Sequence, residues 1–239
     1  MSKIIKIALW SGPRNISTAL MYSFANRNDV KVIDEPLFGY FLNYSGAWRP
    51  SRKEVLATME LIPENIIEQI VNPTINKPVF FIKNMANHLI DLNWSFLDNF
   101  YNIILTRDPK DMLMSYSKHI GNPTMLDTCY EIQVELIEYL TNKAIPFVVV
   151  DSKEILQNPE KALKRICSLA SIPFSVEMLN WEKGPLKEDG IWAKYWYNNV
   201  HSSNSFGNYV SNDQKLPIQI TDIYEKCLIH YNQILKFQT

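Results

Sequence analysis

Five short runs rich in β-branched and aromatic residues, at positions 4–9, 30–33, 78–82, 101–105 and 146–150, alternate with stretches of helical character. No other feature constrains the fold as much. Strands separated by helices pair in parallel, and both faces of such a sheet need helical cover. The pattern predicts an α/β fold: one central parallel sheet of about five strands, flanked by helices. Leu126, Tyr130, Val134 and Ile137 recur at helical spacing on one face. Asp151 and Ser152 are placed to cap a turn after the fifth strand, and Pro159 stands in the first turn of the next helix. Near the end, Ile220, Ile223, Tyr224, Cys227, Tyr231 and Ile234 form one stripe, which predicts a helix packed on the sheet. The stretch 184–217 has weak periodicity and many aromatic and polar residues, so it reads as a functional segment or a lid.

A chain of 239 residues, 46% of them hydrophobic, is within reach of one domain spanning 1–239. Its net charge of -1 argues against a broad nucleic-acid or anionic-membrane surface, so any anionic ligand must be met by a few local cations. Cys129, Cys167 and Cys227 are odd in number, far apart and set among apolar neighbours; buried free thiols are expected, and no metal site. With no apolar run near the ~20 residues of a membrane span, a cytoplasmic protein is expected.

The first run leads into Ser11-Gly12-Pro13-Arg14-Asn15-Ile16-Ser17-Thr18 and then a helix start. Unpaired backbone N–H groups and the helix dipole at such a start favour an anion. Gly12 permits a close turn, Ser17 and Thr18 add hydroxyl donors, and Arg14 adds a charged fork. The bland alternative is an ordinary turn in which Asn15 or Ser17 caps the helix. A triphosphate loop of the G-x-x-x-x-G-K-[ST] kind has lysine before its hydroxyl residue; here Ile16 stands there and the cation comes early, which points away from ATP. A second segment, from Asn102 to Pro109, is a strand ending in Arg107, with Ser115 two helical turns further on. Strand C-terminal ends are where open α/β sheets bind ligands.

Together these segments resemble the sulfotransferases that use 3′-phosphoadenosine 5′-phosphosulfate (PAPS), in particular a bacterial-type branch of small proteins. That family has a 5′-phosphosulfate loop of the type P-R-S-G-[ST]-[ST] after its first strand, and an arginine eight positions before a serine for the 3′-phosphate. Asp34-Glu35-Pro36-Leu37 and the segment from Asp189 to Phe206 continue the likeness. The resemblance implies a P-loop NTPase-like three-layer fold, PAPS as donor, 3′,5′-ADP as product and a small-molecule acceptor. It implies that residues 11–18 hold the phosphosulfate and that Arg107 and Ser115 hold the 3′-phosphate. Asn15-Ile16 departs from the family's Ser-Gly, no lysine-threonine-histidine run follows the third strand, and the late glycine-rich basic motif is not recognisable. Only Lys194 and His201 stand in the region of that last motif, so Lys194 is a candidate donor contact.

Sulfuryl transfer needs an activated hydroxyl, an in-line donor and positive charge on the leaving oxygens. Glu35, emerging after the second strand, is the first choice of base; Asp34 should point the other way if strand alternation persists. His88, read as lying in an exposed loop, is the alternative base. His201 is a weaker one, while His119 and His230 read as ordinary surface or helix residues. Lys83, or Arg14, would stabilise charge on the bridging oxygen. Aromatic clusters around Phe38–Trp48 and Trp181–Tyr197 would wall an acceptor pocket or stack on adenine. Rival expectations are a P-loop kinase or hydrolase, because residues 30–35 resemble an acidic strand end that holds magnesium, and a binder that has lost transfer.

Overall fold

Every strand of the sheet is parallel to its neighbours, in the order β2-β3-β1-β4-β5. The computed structural model describes residues 4–211 and 214–238. Positions 212 and 213 of the expected lid segment, and the ends of the expected 1–239 domain, lie outside the described residues. In chain order the elements begin β1 (Ile5–Ser11), α1 (Ser17–Ala25), β2 (Val30–Asp34), α2 (Phe38–Ser45), α3 (Arg52–Thr58), α4 (Pro63–Val71) and β3 (Val79–Met85). They continue with β4 (Tyr101–Thr106), α5 (Pro109–Tyr116), α6 (Met125–Thr128), α7 (Tyr130–Asn142) and β5 (Phe147–Asp151). Last come α8 (Ser152–Gln157), α9 (Pro159–Leu169), α10 (Ala193–Trp196), α11 (Asn198–Ser202) and α12 (Thr221–Leu235).

Strand alternation divides the core between two layers. Ile7 and Leu9 of β1 pack with Leu20, Phe24, Leu163 and Ile166, on the face covered by α1 and α9. Ala8 and Trp10 face Leu113, Leu136, Ile137 and Ile234, on the side of α5, α7 and α12. Covering both faces removes residues 7–11 of β1 from water, as expected for parallel strands. This is the P-loop NTPase-like three-layer arrangement.

Several elements differ in detail from the sequence expectation. β1 continues through Ser11 and β3 through Met85, so the strand ends reach further toward the site than the apolar runs indicated. The stripe from Leu126 to Ile137 is broken between α6 and α7 by Cys129, whose backbone is left-handed (φ 69°). Val134 is consequently only half-buried, and the buried face of α7 includes Gln133, which donates to the carbonyls of Trp10 and Leu105. α12 packs chiefly on α7 and α5, with a smaller contact to β5, and its Tyr231 hydroxyl donates to Asp151 at 2.6 Å. Asp151 caps α8 through the amide of Lys153, and Pro159 opens α9, both as read from sequence. All three cysteines are buried free thiols, with burial pushing Cys129 up to about 12. No helix among the described residues is long and apolar enough to cross a membrane.

Candidate active site

Register places the site. At the C-terminal edge of the sheet, Asp34 lies opposite Lys83 across β2–β3, and Ser11 lies opposite Met85 and Leu105. The loops leaving β1, β2, β3 and β4 therefore open on one edge, where a cavity of about 560 Å³ is lined by Arg14, Ser17, Thr18, Glu35, Lys83, His88, Arg107 and Ser115, among others.

The loop after β1 is held under strain. Arg14 (φ 55°) and Ile16 (φ 64°) both take left-handed backbone conformations. For a β-branched residue such as Ile16 this is a genuine outlier, of the kind that costs roughly 1–3 kcal/mol. Asn15 compensates from inside: it is buried, and its Nδ2 donates to the Leu105 carbonyl at 2.6 Å, tying the loop to the end of β4. Arg107 ties it a second time, donating from Nη1 to the Arg14 carbonyl at 2.5 Å. No side chain caps α1, so the N–H groups of its first turn face the cavity without a protein partner. The bland reading of Asn15 or Ser17 as a helix cap is thus not what the structure shows.

Arg14 donates from Nε to the Ser115 hydroxyl at 3.0 Å, which joins the loop to α5. Burial, and then the like charge of Arg107, pull the Arg14 guanidinium below its ordinary value. Two arginines beside each other at an uncapped helix start have the chemistry that suits an anion. The nearest carboxylate to Arg107 is Asp111, at 4.0 Å. Ser11 and Gly12, by contrast, do not line the cavity: the Ser11 hydroxyl donates to the Asn84 carbonyl beneath the loop, and a Cβ on Gly12 would lie 3.2 Å from the Thr128 carbonyl. Lys194 is outside it too, half-exposed and bonded to Glu54.

Across the cavity lies a buried charge cluster. Lys83 is 1% exposed, and its ammonium donates to Asp34 Oδ1 (2.8 Å), Glu35 Oε1 (2.5 Å) and the Tyr197 hydroxyl (2.7 Å), engaging all three of its protons. Asp34 does not point away from Glu35. The reason is backbone: Glu35 takes a left-handed conformation (φ 44°) that ends the strand alternation and returns its carboxylate to the Lys83 side. Asp34 Oδ2 accepts from the Tyr197 hydroxyl (2.8 Å) and the Gly190 amide (3.1 Å), and Trp192 Nε1 donates to Tyr197 at 3.1 Å. The segment expected to form a lid is therefore fastened over the cluster. Burial works against the Lys83 ammonium, but Asp34 and Glu35 outweigh it and hold the group well above its usual range. Burial raises Glu35, and Asp34 adds to that, while Lys83 opposes it.

His88 is not in an exposed loop. It is 1% exposed, stacked on Phe38 and tilted against Phe41, with Nε2 3.8 Å from Glu35 Oε2. Burial, with Lys83 and Arg49 close by, lowers it well below 6.5, so it is neutral at physiological pH. His201 instead contacts Asp189, at 2.9 Å, within the same 184–217 segment.

Sequence reading missed Arg49 and Asp127, which line the cavity and pair at 2.6 Å, and Asn87, whose Oδ1 is buried without a partner. Only Tyr197 had left a signal, as a member of the aromatic cluster; its hydroxyl role had not. Among the described residues no group of three or more His, Cys, Asp or Glu is placed to hold a metal ion.

A sheet with this order, a strained loop leading to an uncapped helix, and an arginine just past the neighbouring strand end are the surroundings in which open α/β folds place anionic ligands. The chain belongs to the sulfotransferase-domain family, whose model matches residues 5–236. It is 35% identical over 227 residues to the branched-chain-amino-acid aminotransferase-like protein 2 of Arabidopsis thaliana, a match covering 95% of this chain and 40% of that protein. The chain thus spans about two fifths of the length of the curated relatives it matches. Among solved structures, a sulfotransferase from Alicyclobacillus acidocaldarius aligns with TM-score 0.55 at 8% identity, over 97% of this chain and 96% of that one. The sulfotransferase domain of the curacin biosynthetic pathway aligns with TM-score 0.52 at 13% identity, over 97% and 99%. The family is that of sulfotransferases, not the kinases or hydrolases held as rivals.

Proposed function

We propose that this chain transfers a sulfuryl group from PAPS to a hydroxyl or amine of a small-molecule acceptor. One observation carries the reading: a single cavity has an uncapped helix start with two mutually repelling arginines on one side, and a buried carboxylate–ammonium pair on the other. When bound, the donor supplies the sulfuryl group and a phosphate leaving group.

In this reading the first-turn amides of α1, with Ser17 and Thr18, take the 5′-phosphosulfate, and Arg107 with Ser115 takes the 3′-phosphate. Arg14, already joined to Ser115, lies between the two anionic ends and neutralises charge on the leaving oxygen. Glu35 accepts the acceptor's proton. Its raised affinity for a proton brings it nearer neutrality, where a base is most effective. Since all three Lys83 protons are engaged, Lys83 acts here by holding Glu35 rather than by reaching the sulfuryl group itself. His88, neutral and beside Glu35, is the second candidate for the proton.

Labelled sulfate from PAPS, offered with a panel of hydroxyl and amine acceptors, tests transfer. Arg107→Ala is expected to weaken 3′,5′-ADP binding at least tenfold, far more than it weakens the fold, where it removes the one hydrogen bond to the Arg14 carbonyl. Equal affinity in that variant refutes the donor assignment. Tight 3′,5′-ADP binding with no labelled product across the panel would make the chain a binder only.

A further inference from the structure

Two side chains of the cavity wall carry hydrogen-bond donors that the protein itself leaves unused, and the inference drawn from them rests on the sulfotransfer reading above. Tyr116, on α5, is 4% exposed and lines the cavity. Its hydroxyl has no hydrogen-bond partner among the described residues. Unlike Asn87 Oδ1 and His88 Nδ1, that hydroxyl is not sealed inside protein, so its open side is the cavity. Burial holds the phenol far above its ordinary value, which keeps it protonated and able to donate.

Arg49 is the second. Its side chain is 10% exposed, and it donates from Nη1 to the Trp48 carbonyl and from Nη2 to Asp127 Oδ1, which uses two of its five N–H groups. The other Asp127 oxygen accepts from the amide and hydroxyl of Thr124, at 2.9 and 2.7 Å, so this carboxylate is anchored at both ends and orients Arg49. The charge of Arg49 acts on Glu35 and on Tyr116, and that of Glu35 acts on Tyr116, which makes the three groups neighbours. Glu35 brings no unmet charge to this corner, because Lys83 Nζ stands 2.5 Å from its Oε1. A planar guanidinium with spare N–H groups and a phenol without an acceptor call for the same thing: oxygen lone pairs carried on one group. An ammonium or a hydrocarbon placed there would leave both donors unpaired, which is costly.

We propose that the acceptor is a hydroxy acid whose carboxylate is held by Arg49 and Tyr116 while its hydroxyl meets Glu35. The hydroxyl oxygen forms the new O–S bond and its proton passes to Glu35. The S–O bond to the donor phosphate breaks, and its electron pair leaves with 3′,5′-ADP. Arg49 and Tyr116 are then the residues that set acceptor specificity, and they take no part in the transfer itself.

The test sets each hydroxy acid against its primary amide, an isostere without the charge: 6-hydroxyhexanoate against 6-hydroxyhexanamide, and 3-(4-hydroxyphenyl)propanoate against 3-(4-hydroxyphenyl)propanamide. Binding to the full chain is measured by calorimetry with saturating 3′,5′-ADP, which keeps the acids off Arg14 and Arg107. In at least one pair the acid should bind at least tenfold tighter, about 1.4 kcal/mol. Tyr116→Phe should cut that advantage several-fold and leave the melting temperature unchanged, since the hydroxyl it removes bonds to nothing in the free protein; a tyrosine with only a structural role would show the reverse. Arg49→Lys, which keeps the charge and loses the fork, should cut it as well. Equal binding within both pairs, a preference for the amide, an undiminished advantage in Tyr116→Phe, or no binding of either acid up to ~50 mM overturns the proposal. A titration with 3′,5′-ADP alone separates the two readings: retained nucleotide binding without acid preference sinks only the acceptor class, and lost nucleotide binding sinks the donor assignment.

Discussion

At the scale of single residues, the left-handed turn at Glu35 decides the chemistry. It sets two consecutive carboxylates on one ammonium, an arrangement that alternation along a strand forbids. Glu35→Gln keeps the volume and a hydrogen-bonding group but removes the proposed base. Turnover should fall by about 10²–10⁴-fold with 3′,5′-ADP affinity unchanged, as measured by single-turnover assay and calorimetry. His88 allows a separate check through acid stability. Its folded pKa lies well below 6.5, so above ~6.5 the folded and unfolded chains bind equal protons there. As pH falls below 6.5, the unfolded chain gains a proton that the folded one refuses, and stability is lost progressively. Glu35, raised above its ordinary 4.5, acts in the opposite direction, losing stability as pH rises from 4.5. His88→Gln removes only the first contribution. Melting temperatures of this variant should fall less steeply than wild type between pH 6.5 and 5; identical slopes would refute a neutral, buried His88.

At the scale of elements, the strap from Gly184 to Gly207 is what turns an open sheet edge into an enclosed site. Gly190 is its fixed point. The Gly190 amide donates to Asp34, and a Cβ there would fall 2.1 Å from the Trp192 ring, so any side chain forces the strap to move. Overpacking of this sort costs about 1–3 kcal/mol. Gly190→Ala is therefore expected to raise the acceptor KM and lower kcat while leaving 3′,5′-ADP affinity within a few-fold, because the proposed donor contacts come from α1, α5 and the loops before them. A variant with wild-type kinetics would show that the strap plays no part. The strands, and the loop after β1, were legible in the sequence because β-branched runs and a dense Gly-Arg-Asn-Ser-Thr segment are local signals. The strap was not, since its order comes from partners more than 150 positions away, as in Tyr197–Asp34 and Gly190–Asp34. Arg49 and Asp127 failed for the same reason: each is an unremarkable surface-type residue until the chain folds them onto one cavity. His88 was misplaced because its burial depends on Phe38 and Phe41, which lie far from it in sequence.

On the scale of the whole molecule, the parallel order β2-β3-β1-β4-β5 brings five strand ends to one edge, so that ligand binding should be felt by the entire fold. At ~100-fold over its dissociation constant, 3′,5′-ADP should stabilise the folded chain by about 2.7 kcal/mol. For a domain of this size that is a rise of roughly 5–11 °C in Tm by calorimetry, in magnesium-free buffer. No shift would count against the donor site, whatever the acceptor. The Tyr197 hydroxyl has a further consequence, for the order in which the molecule is completed. A chain made from its N-terminus has all five strands once Asp151 is in place, yet Asp34 then lacks two of its three donors, the Gly190 amide and the Tyr197 hydroxyl. Until those arrive, the carboxylates and the ammonium stay wetted, because burying them unpaired is too costly. A ribosome-bound chain can therefore hold its sheet before it holds its centre. The buried charge cluster closes last, and only after Tyr197 has been made.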